Sequence, residues 1–300
     1  MPSTKLQTPK DYEELLDKFD TFLFDCDGVL WRGNEAIPGV PEAMNYIRSK
    51  GKQLLFVTNN SSVSRANYCK KFTKLGIEAH VDDIFSSAYA AAVYLKNVVA
   101  FPPEKKVYII GQAGIQEELA AEGIRHSGAG DDNENMQEMD FSSIKPDPEV
   151  GAVLCGIDFH INYKKYAKAH TYLTKNPGCL FLLTNDDSTF PTEIGIFPGA
   201  GAISSTLITS TSRTPDAVLG KPNQTMMDCI IARYSLDLNR TLMIGDRLDT
   251  DIDFGNRGGL ATLAVLTGVT TEQDLQNPTQ KIVPTYYMES WGDLTKPTES

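Results

Sequence analysis

The sequence predicts an α/β protein built around a parallel sheet. Three apolar segments of strand type, at 21–24, 53–58 and 241–245, each run directly into a group of polar residues. Segments with helical patterns separate them, as in folds whose parallel strands are joined by crossover helices. Ligands bind beyond the carboxyl ends of the strands in such sheets, so these strand ends predict the position of a functional site.

Glycines and hydrophobic periodicity place the remaining elements in order. The predicted helices cover residues 38–50, 64–75, 88–98, 115–122 and 163–175, and a further helical stretch begins at Pro222. The other predicted strands cover residues 107–110, 153–156, 179–184 and 260–266. Residues 127–147 are rich in Gly, Asp, Asn and Glu, which predicts an exposed, mobile loop.

Composition and charge exclude several classes of protein. A chain of 300 residues with 41% hydrophobic content can build one large core or two domains. No apolar run approaches the roughly twenty residues of a membrane span, and the N-terminus lacks a signal-peptide core, so we expect a cytoplasmic or nucleocytoplasmic protein. Five cysteines without a C-x-x-C pair predict neither a disulfide framework nor a zinc site. The net charge of −11 argues against nucleic acid and membrane partners.

The most informative motif is the run 21–29, Thr-Phe-Leu-Phe-Asp-Cys-Asp-Gly-Val. Alternate residues of a strand point the same way, so Asp25 and Asp27 can face one small site. A D-x-D-G run also occurs in plain metal-binding or solvated turns. The motif alone therefore leaves catalysis and a solvated turn both open.

Three later motifs also place polar residues at predicted strand or turn edges. Their polar residues are Thr58, Asn59, Asn60, Lys221, Asp246, Asp249 and Asp251. Taken singly, they fit a helix N-cap, a turn and an acidic helix start. The four motifs together, in this order, favour a shared catalytic site over four separate turns.

This series resembles the haloacid dehalogenase-like hydrolase superfamily, and within it the capped, NagD-like branch of p-nitrophenylphosphatases and phosphoglycolate phosphatases. The resemblance runs from about residue 20 to 268 and includes the runs 184–191 and 198–201. It implies a Rossmann-like core at 1–100 and 216–300, with an inserted α/β cap domain of C2 type at 101–215. The interval between Thr58 and Lys221 exceeds the need of one crossover, which fits an insertion. Because relatives often dimerise through their caps, a homodimer is a further expectation.

The resemblance also implies a phosphatase that works through an aspartyl-phosphate. Asp25 would be the nucleophile, and Asp27 would protonate the leaving oxygen and then activate water. Lys221 would hold the nucleophile and the phosphate together as a point charge. Because the protein is acidic, we expect Mg²⁺ to be required for an anionic substrate.

The remaining motif residues would bind the metal and the phosphate. By resemblance, Mg²⁺ would contact Asp25, the backbone carbonyl of Asp27 and Asp246, and Asp251 would orient this group. Thr58, Asn59 and Asn60 would hydrogen-bond the phosphoryl oxygens.

Substrate choice is expected to lie in the cap. Phe190 matches a substrate-contacting loop position of the relatives, although an aromatic residue there also fits core packing. A phenyl ring resembles the fungal p-nitrophenylphosphatases, which implies small phosphorylated acids such as 2-phosphoglycolate, with p-nitrophenyl phosphate as a substrate in vitro. The vitamin B6 branch typically has histidine there, so Phe190 argues against pyridoxal 5′-phosphate as the main substrate. Pyridoxal 5′-phosphate and a phosphoprotein are the alternative substrates of the same fold.

Two other functions fit part of the sequence. Cys26 to Arg32 has the C-x5-R spacing of cysteine-dependent phosphatases, although bulky Leu30 and Trp31 do not suit a phosphate-binding loop. A non-catalytic protein that binds phosphorylated metabolites could keep the same fold. Oxidation of Cys26 would be a way to couple activity to redox state, and a small buried core residue is the plainer interpretation.

Overall fold

The structure, a computed structural model, describes residues 3–136, 141–192 and 194–295. Its alternating strands and helices and its parallel sheets confirm the predicted α/β class. The strands are β1 (Thr4–Lys5), β2 (Thr21–Phe24), β3 (Trp31–Arg32), β4 (Glu35–Ala36), β5 (Gln53–Thr58), β6 (Ile84–Ser86), β7 (Lys106–Ile110), β8 (His126–Gly128), β9 (Val150–Cys155), β10 (Leu180–Leu183), β11 (Thr189–Thr192), β12 (Gly195–Pro198), β13 (Ala217–Val218), β14 (Thr241–Gly245), β15 (Ala261–Val265) and β16 (Tyr286–Met288). The α-helices are α1 (Pro9–Lys18), α2 (Val40–Ser49), α3 (Arg65–Lys74), α4 (Ser87–Val93), α5 (Ala113–Ala121), α6 (Tyr163–Lys175), α7 (Ala200–Thr211), α8 (Gln224–Tyr234), α9 (Asp253–Arg257) and α10 (Glu272–Gln276).

The chain divides into two compact units, and the first contains the described residues of 1–58, 66–85 and 221–300. Its seven-stranded sheet has the order β1-β16-β15-β14-β2-β5-β6. The central strand β2 pairs in parallel with β14 on one side and with β5 on the other. Phe24 lies opposite Ile244 and Phe56 in these pairings. The ends of the three central strands therefore meet at one edge of the sheet.

Burial on both faces explains why β2 has no alternating pattern. Phe22, Leu23 and Phe24 are all completely buried, as expected for a central strand of a parallel sheet covered on both sides. The ring of Trp291 packs edge-on against Phe24 at a centroid distance of 5.1 Å. This packing encloses the strand that leads directly into Asp25.

The second unit contains residues 59–65 and 86–220. Its five-stranded sheet has the order β13-β10-β9-β7-β8, with parallel pairings, and β11 and β12 form an antiparallel hairpin. The predicted insertion, 101–215, lies inside this unit. Residues 59–65, 86–100 and 216–220 were predicted to belong to the core, but their contacts group them with the second unit.

Most predicted helices appear close to their expected bounds, and α6 matches 163–175 at both ends. The helix expected at 88–98 begins at Ser87 and changes at Tyr94 into a π-helical turn. Helices α1, α7 and α10 and the β11–β12 hairpin were not predicted. Within the part of the chain that the structure describes, no helix combines the length and the apolar character that crossing a bilayer requires.

The prediction of an exposed loop at 127–147 is wrong in its first part, and residues 137–140 lie outside the described residues. Ala129 and Asp132 are buried. The Asp132 carboxylate accepts hydrogen bonds from the amine of Lys168 and from the hydroxyl of Tyr108 at 2.7–2.9 Å. Long-range partners therefore bury a segment whose polar composition indicates exposure.

A buried ion pair lies inside the second unit. Lys165 Nζ lies 2.6 Å from Asp158 Oδ2, and both side chains are fully excluded from solvent. The amine also donates to Asn133 Oδ1 at 2.7 Å, and the backbone N–H of His160 donates to Asp158 Oδ1 at 2.8 Å. The pair is therefore hydrogen-bonded on both sides, which is the condition under which buried charges are tolerated.

Replacing one partner of this pair should destabilise the fold. We expect Lys165→Met to lower the free energy of unfolding by about 3 kcal/mol, because it leaves the Asp158 carboxylate buried without its counter-charge. Urea denaturation followed by circular dichroism measures the change. Lys10→Met is the matched control, since Lys10 and Glu14 form an exposed pair, and it should change stability by less than about 0.5 kcal/mol. Equal effects of the two variants would contradict the prediction.

Candidate active site

Two aspartates lie where neighbouring parallel strands end. Asp25 follows β2 and Asp246 follows β14. The backbone N–H of Asp25 donates to the carbonyl of Ile244 at 2.8 Å, which extends the pairing of the two strands by one residue. The structure thus places both carboxylates at the edge of the sheet that the sequence predicts for the site.

A third carboxylate joins them from the turn after β14. Oxygen atoms of Asp25, Asp246 and Asp251 lie within 4.8 Å of one another. Asp251 is positioned by the backbone N–H of Arg247, which donates to its Oδ2 at 3.1 Å. Asp249, from the same acidic run, instead pairs with the Arg247 side chain at 3.0 Å and is exposed. Three of the predicted acids are therefore brought together, and we call Asp25, Asp246 and Asp251 the carboxylate cluster.

Lys221 lies against this cluster. Its Nζ is 2.6 Å from Asp25 Oδ1 and 2.7 Å from Asp251 Oδ1, and it donates to the carbonyl of Val57 at 2.8 Å. Burial alone would lower the pKa of this amine, but the carboxylates of Asp25 and Asp251 outweigh burial and raise it. Lys221 therefore stays positively charged and compensates part of the negative charge of the cluster.

The cluster carries more negative charge than this one amine can balance. Burial raises the pKa of Asp25 well above its usual range, Lys221 opposes that shift, and the neighbouring Asp251 and Asp246 reinforce it. Burial, followed by the charge of Asp251, likewise raises the pKa of Asp246 to about 7. Both shifts indicate that a further positive charge would stabilise the ionised cluster.

The chemistry of the donors fits a hard divalent cation. The cluster offers carboxylate oxygens, which Mg²⁺ prefers, and contains no sulfur or imidazole donor. A cation held there would also relieve the repulsion that raises the pKa values of Asp25 and Asp246. The residues present therefore fit the magnesium site expected from the sequence.

Three glycines leave room for the acids of the cluster. A Cβ atom at Gly268 would overlap the Asp246 carboxylate, and one at Gly28 would lie 2.5 Å from Asp246 Oδ2. A Cβ atom at Gly245 would overlap the side chain of Asp251. This role of the three glycines was not predicted. A glycine directly before the acid, as at 245–246, was the available signal.

Asp27 is separate from the cluster and more exposed. The indole Nε1–H of Trp31 donates to Asp27 Oδ1 at 2.8 Å. Trp31 itself is completely buried. In the sequence Trp31 stands out only as a bulky residue in a C-x5-R run, and this contact was not predicted.

The predicted phosphate-binding residues fall in both units. Thr58 ends β5 in the first unit and is buried, whereas Asn59 and Asn60 are grouped with the second unit. Asn59 Nδ2 donates to Asp187 Oδ2 at 3.0 Å. Asn60 Oδ1 accepts from the backbone N–H of Ser62 at 2.9 Å, the local bonding typical of a turn. A role of these three residues in binding phosphate stays a prediction.

Phe190 lies on β11 in the second unit and is half-buried. Its ring is 6.2 Å from that of Phe159 and 6.4 Å from that of Phe197, measured between centroids. Phe190 therefore takes part in an aromatic cluster, and its contact with substrate stays a prediction.

The geometry disfavours the cysteine-dependent alternative. Cys26 is completely buried, and burial, with the charges of Asp25 and Asp27, raises the pKa of its thiol well above the usual range. A thiolate nucleophile needs the opposite shift. The Arg32 guanidinium donates to the carbonyl of Thr267 at 2.8 Å. The same burial favours a core role for Cys26 over a redox sensor.

The raised pKa of Asp246 predicts a pH dependence of stability. An unfolded aspartate titrates near pH 4, whereas Asp246 in the fold has a pKa of about 7. Between these values the folded protein holds the proton more tightly, so stability is lost as the pH rises through this window. Relative to Asp246→Asn, metal-free protein should lose on the order of 2 kcal/mol between about pH 5 and about pH 8. Urea denaturation with chelator present measures the difference, and a pH-independent difference would contradict the prediction.

The glycine at 268 predicts a cation-binding defect. Gly268→Ala should weaken Mg²⁺ binding by about tenfold or more, because the added methyl group displaces the Asp246 carboxylate. Isothermal titration calorimetry measures the affinity. Gly130→Ala is the control, since a Cβ atom there meets open space. Equal affinity in the Gly268 variant and in the unaltered protein would show that the carboxylate is not displaced.

Comparison with known proteins identifies the family. A family model described as haloacid dehalogenase-like hydrolase matches residues 22–125, and a second, described as HAD-hydrolase-like, matches residues 218–294. A 4-nitrophenylphosphatase of Schizosaccharomyces pombe is 48% identical over 97% of this chain and 98% of its own length. Phosphoglycolate phosphatase 2 of Arabidopsis thaliana is 45% identical over 99% of both chains.

Solved structures show the same architecture. A glycerol phosphate phosphatase from Mycobacterium tuberculosis, solved in complex with magnesium, superposes with a TM-score of 0.77 at 31% identity, over 93% of this chain and 77% of its own. The sequence relatives span nearly the whole chain, including residues on both sides of the insertion. The chain therefore belongs to the haloacid dehalogenase-like hydrolases, and it is a phosphoric monoester hydrolase of that family.

Proposed function

We propose that this protein is a Mg²⁺-dependent phosphatase that hydrolyses small phosphorylated metabolites through a phosphoryl group carried on Asp25. The observation that carries the proposal is the contact of one buried lysine with the carboxylate cluster. Lys221 touches Asp25 and Asp251, and Asp246 completes the cluster within 4.8 Å. A nucleophile, a fixed positive charge and a set of oxygen donors for a cation thus lie together.

Asp25 is the proposed nucleophile. Its Oδ1 is held by Lys221, so one carboxylate oxygen is oriented while the other is left to attack phosphorus. The bond from phosphorus to the ester oxygen breaks as the bond to Asp25 forms. Because the ammonium group is buried, its field at the transferring phosphoryl group is screened little by solvent.

Asp27 is the proposed general acid and base. Its position two residues after Asp25 puts it near the reacting group, and its exposure lets it exchange protons with solvent. In the first step it gives a proton to the leaving alkoxide. In the second step it accepts a proton from the water that attacks the aspartyl-phosphate, and inorganic phosphate leaves.

Asp25, Asp246 and the backbone carbonyl of Asp27 would hold Mg²⁺, and Asp251 would orient this group. When bound, this ion would neutralise charge on the phosphoryl group and on the cluster. Gly28, Gly245 and Gly268 allow the acids to sit this closely, and Val269 N–H donates to Asp246 Oδ2 at 2.8 Å. The carboxylates are therefore oriented by the backbone.

The proposed substrates are small phosphate monoesters, with 2-phosphoglycolate or similar phosphorylated acids favoured and p-nitrophenyl phosphate accepted in vitro. The names of the relatives from S. pombe and A. thaliana support this range. The mycobacterial neighbour acts on a glycerol phosphate, which extends the range to a small phosphorylated alcohol. Such hydrolysis would remove the phosphate from a by-product and so return its carbon skeleton to metabolism.

Substitution of the nucleophile tests the mechanism. Asp25→Asn should lower phosphate release from every substrate by on the order of 1,000-fold or more, because the amide cannot form the phosphoryl bond. Removing Mg²⁺ with a chelator should have a similar effect in the unaltered enzyme, and adding Mg²⁺ should reverse it. Phosphate release measures activity, and ¹⁹F NMR shows whether beryllium fluoride binds at Asp25.

Asp249→Asn is the matched control, since this acid lies in the same motif but pairs with Arg247 outside the cluster. It should leave kcat within about twofold of the unaltered enzyme. Substantial Mg²⁺-independent turnover by the Asp25 variant would refute the proposed mechanism.

A further inference from the structure

We propose that Trp31 is a positioning residue: its indole N–H holds the Asp27 carboxylate in the orientation from which it exchanges a proton with the leaving group. This inference rests on the proposed function and adds a residue to it. The distance from Trp31 Nε1 to Asp27 Oδ1 is 2.8 Å, a well-formed hydrogen bond to a carboxylate.

The indole is itself firmly held. Trp31 is completely buried, and its ring packs edge-on against Phe72 at a centroid distance of 5.0 Å. Tyr68 lies nearly parallel to it at 6.4 Å, and the amine of Lys71 lies 4.2 Å from the centre of the ring. A donor packed on several sides can restrain a mobile acceptor, whereas two mobile groups cannot restrain each other.

The backbone between the two residues is a closed turn. Gly28 N–H donates to the carbonyl of Trp31 at 2.8 Å, and Leu30 N–H donates to the carbonyl of Cys26, also at 2.8 Å. Gly28 adopts φ of +83°, a conformation that suits glycine. The turn brings the indole back beside the carboxylate four residues earlier, and β3 then continues the chain from Trp31.

Asp27 needs such a restraint. Its side chain is exposed, so water could solvate the carboxylate in several rotamers. A general acid is effective only from a position within hydrogen-bond reach of the leaving oxygen. Selecting one rotamer of Asp27 before substrate arrives removes that ordering cost from the reaction.

The plainer interpretation is that Asp27 merely satisfies a buried indole N–H. The second tryptophan argues against it. Among the described residues, the buried Nε1–H of Trp291 has no hydrogen-bond acceptor. The fold therefore tolerates one buried indole donor that has no acceptor, so burial alone does not require one. The indole of Trp31 does have an acceptor, and that acceptor is the proposed acid, Asp27.

Leaving-group dependence tests the inference. Trp31→Phe keeps an aromatic ring and removes the N–H. It should lower kcat/KM for an alkyl phosphate such as glycerol phosphate by at least about tenfold, because the poor leaving group needs the proton. For p-nitrophenyl phosphate, whose phenolate leaves without protonation, kcat/KM should fall by less than about threefold. Trp291→Phe is the matched control and should leave the ratio of the two substrates unchanged.

A double-mutant cycle shows whether Trp31 acts through Asp27. In an Asp27→Ala background, Trp31→Phe should change kcat/KM for the alkyl phosphate by less than about twofold. If Trp31→Phe costs as much in that background as in the unaltered enzyme, or lowers both substrates equally, the residue has only a structural role.

A spectroscopic test needs no turnover and no Trp31 variant. The chain has two tryptophans, so its ¹H–¹⁵N spectrum contains two indole signals, and Trp291→Phe assigns them by removing one. In metal-free protein, Asp27→Ala should shift the Trp31 indole proton upfield, since its acceptor is lost, and leave the Trp291 signal in place. An unmoved Trp31 signal would overturn the inference.

The two proposals fail in different ways. Absence of Mg²⁺-dependent phosphate release in the unaltered protein would refute the proposed function. Normal turnover with an unchanged substrate ratio in Trp31→Phe would refute only the role of Trp31.

Discussion

The balance of charge around Lys221 is the constraint on which the site depends. Three carboxylates crowd the end of a buried sheet, and one amine lies 2.6–2.7 Å from two of them. In a low-dielectric environment, such a group of charges is tolerable only when each charge has a partner. Burial and mutual repulsion raise the pKa values of Asp25 and Asp246. A second positive charge would therefore stabilise the ionised carboxylates. The excess negative charge that is unfavourable in the protein alone favours the binding of a cation, and a cation in turn favours the binding of a phosphate ester.

The sheet explains why much of this was visible in the sequence. Apolar runs that end in acids predict buried parallel strands, and adjacent parallel strands must end at the same edge. Asp25 and Asp246 meet for this reason, through the register of Phe24 with Ile244. The α/β class and α6 followed from the same patterns of periodicity. These features depend on local sequence and on one general rule of sheet architecture.

Features that depend on distant contacts, or on how one turn closes, could not be predicted in this way. The polar segment around Asp132 is buried because lysines from α6 and the hydroxyl of Tyr108 satisfy it. Helix α7 is rich in Ser and Thr, which disfavour helix interiors, and its burial against the rest of its unit outweighs that preference. The contact of Trp31 with Asp27 depends on a turn whose closure no periodicity reveals. Tertiary partners override composition at the first two of these places, and the closure of a local turn decides the third.

The glycines beside the acids carry a consequence for natural variation. Gly28, Gly245 and Gly268 have no functional group, yet each stands where a single methyl would push a carboxylate out of place. Codon changes at these sites would keep every charged group of the active centre and displace the carboxylates that the proposed reaction needs. A survey of deleterious alleles that scored only acids and bases would overlook them, because what these positions contribute is empty volume.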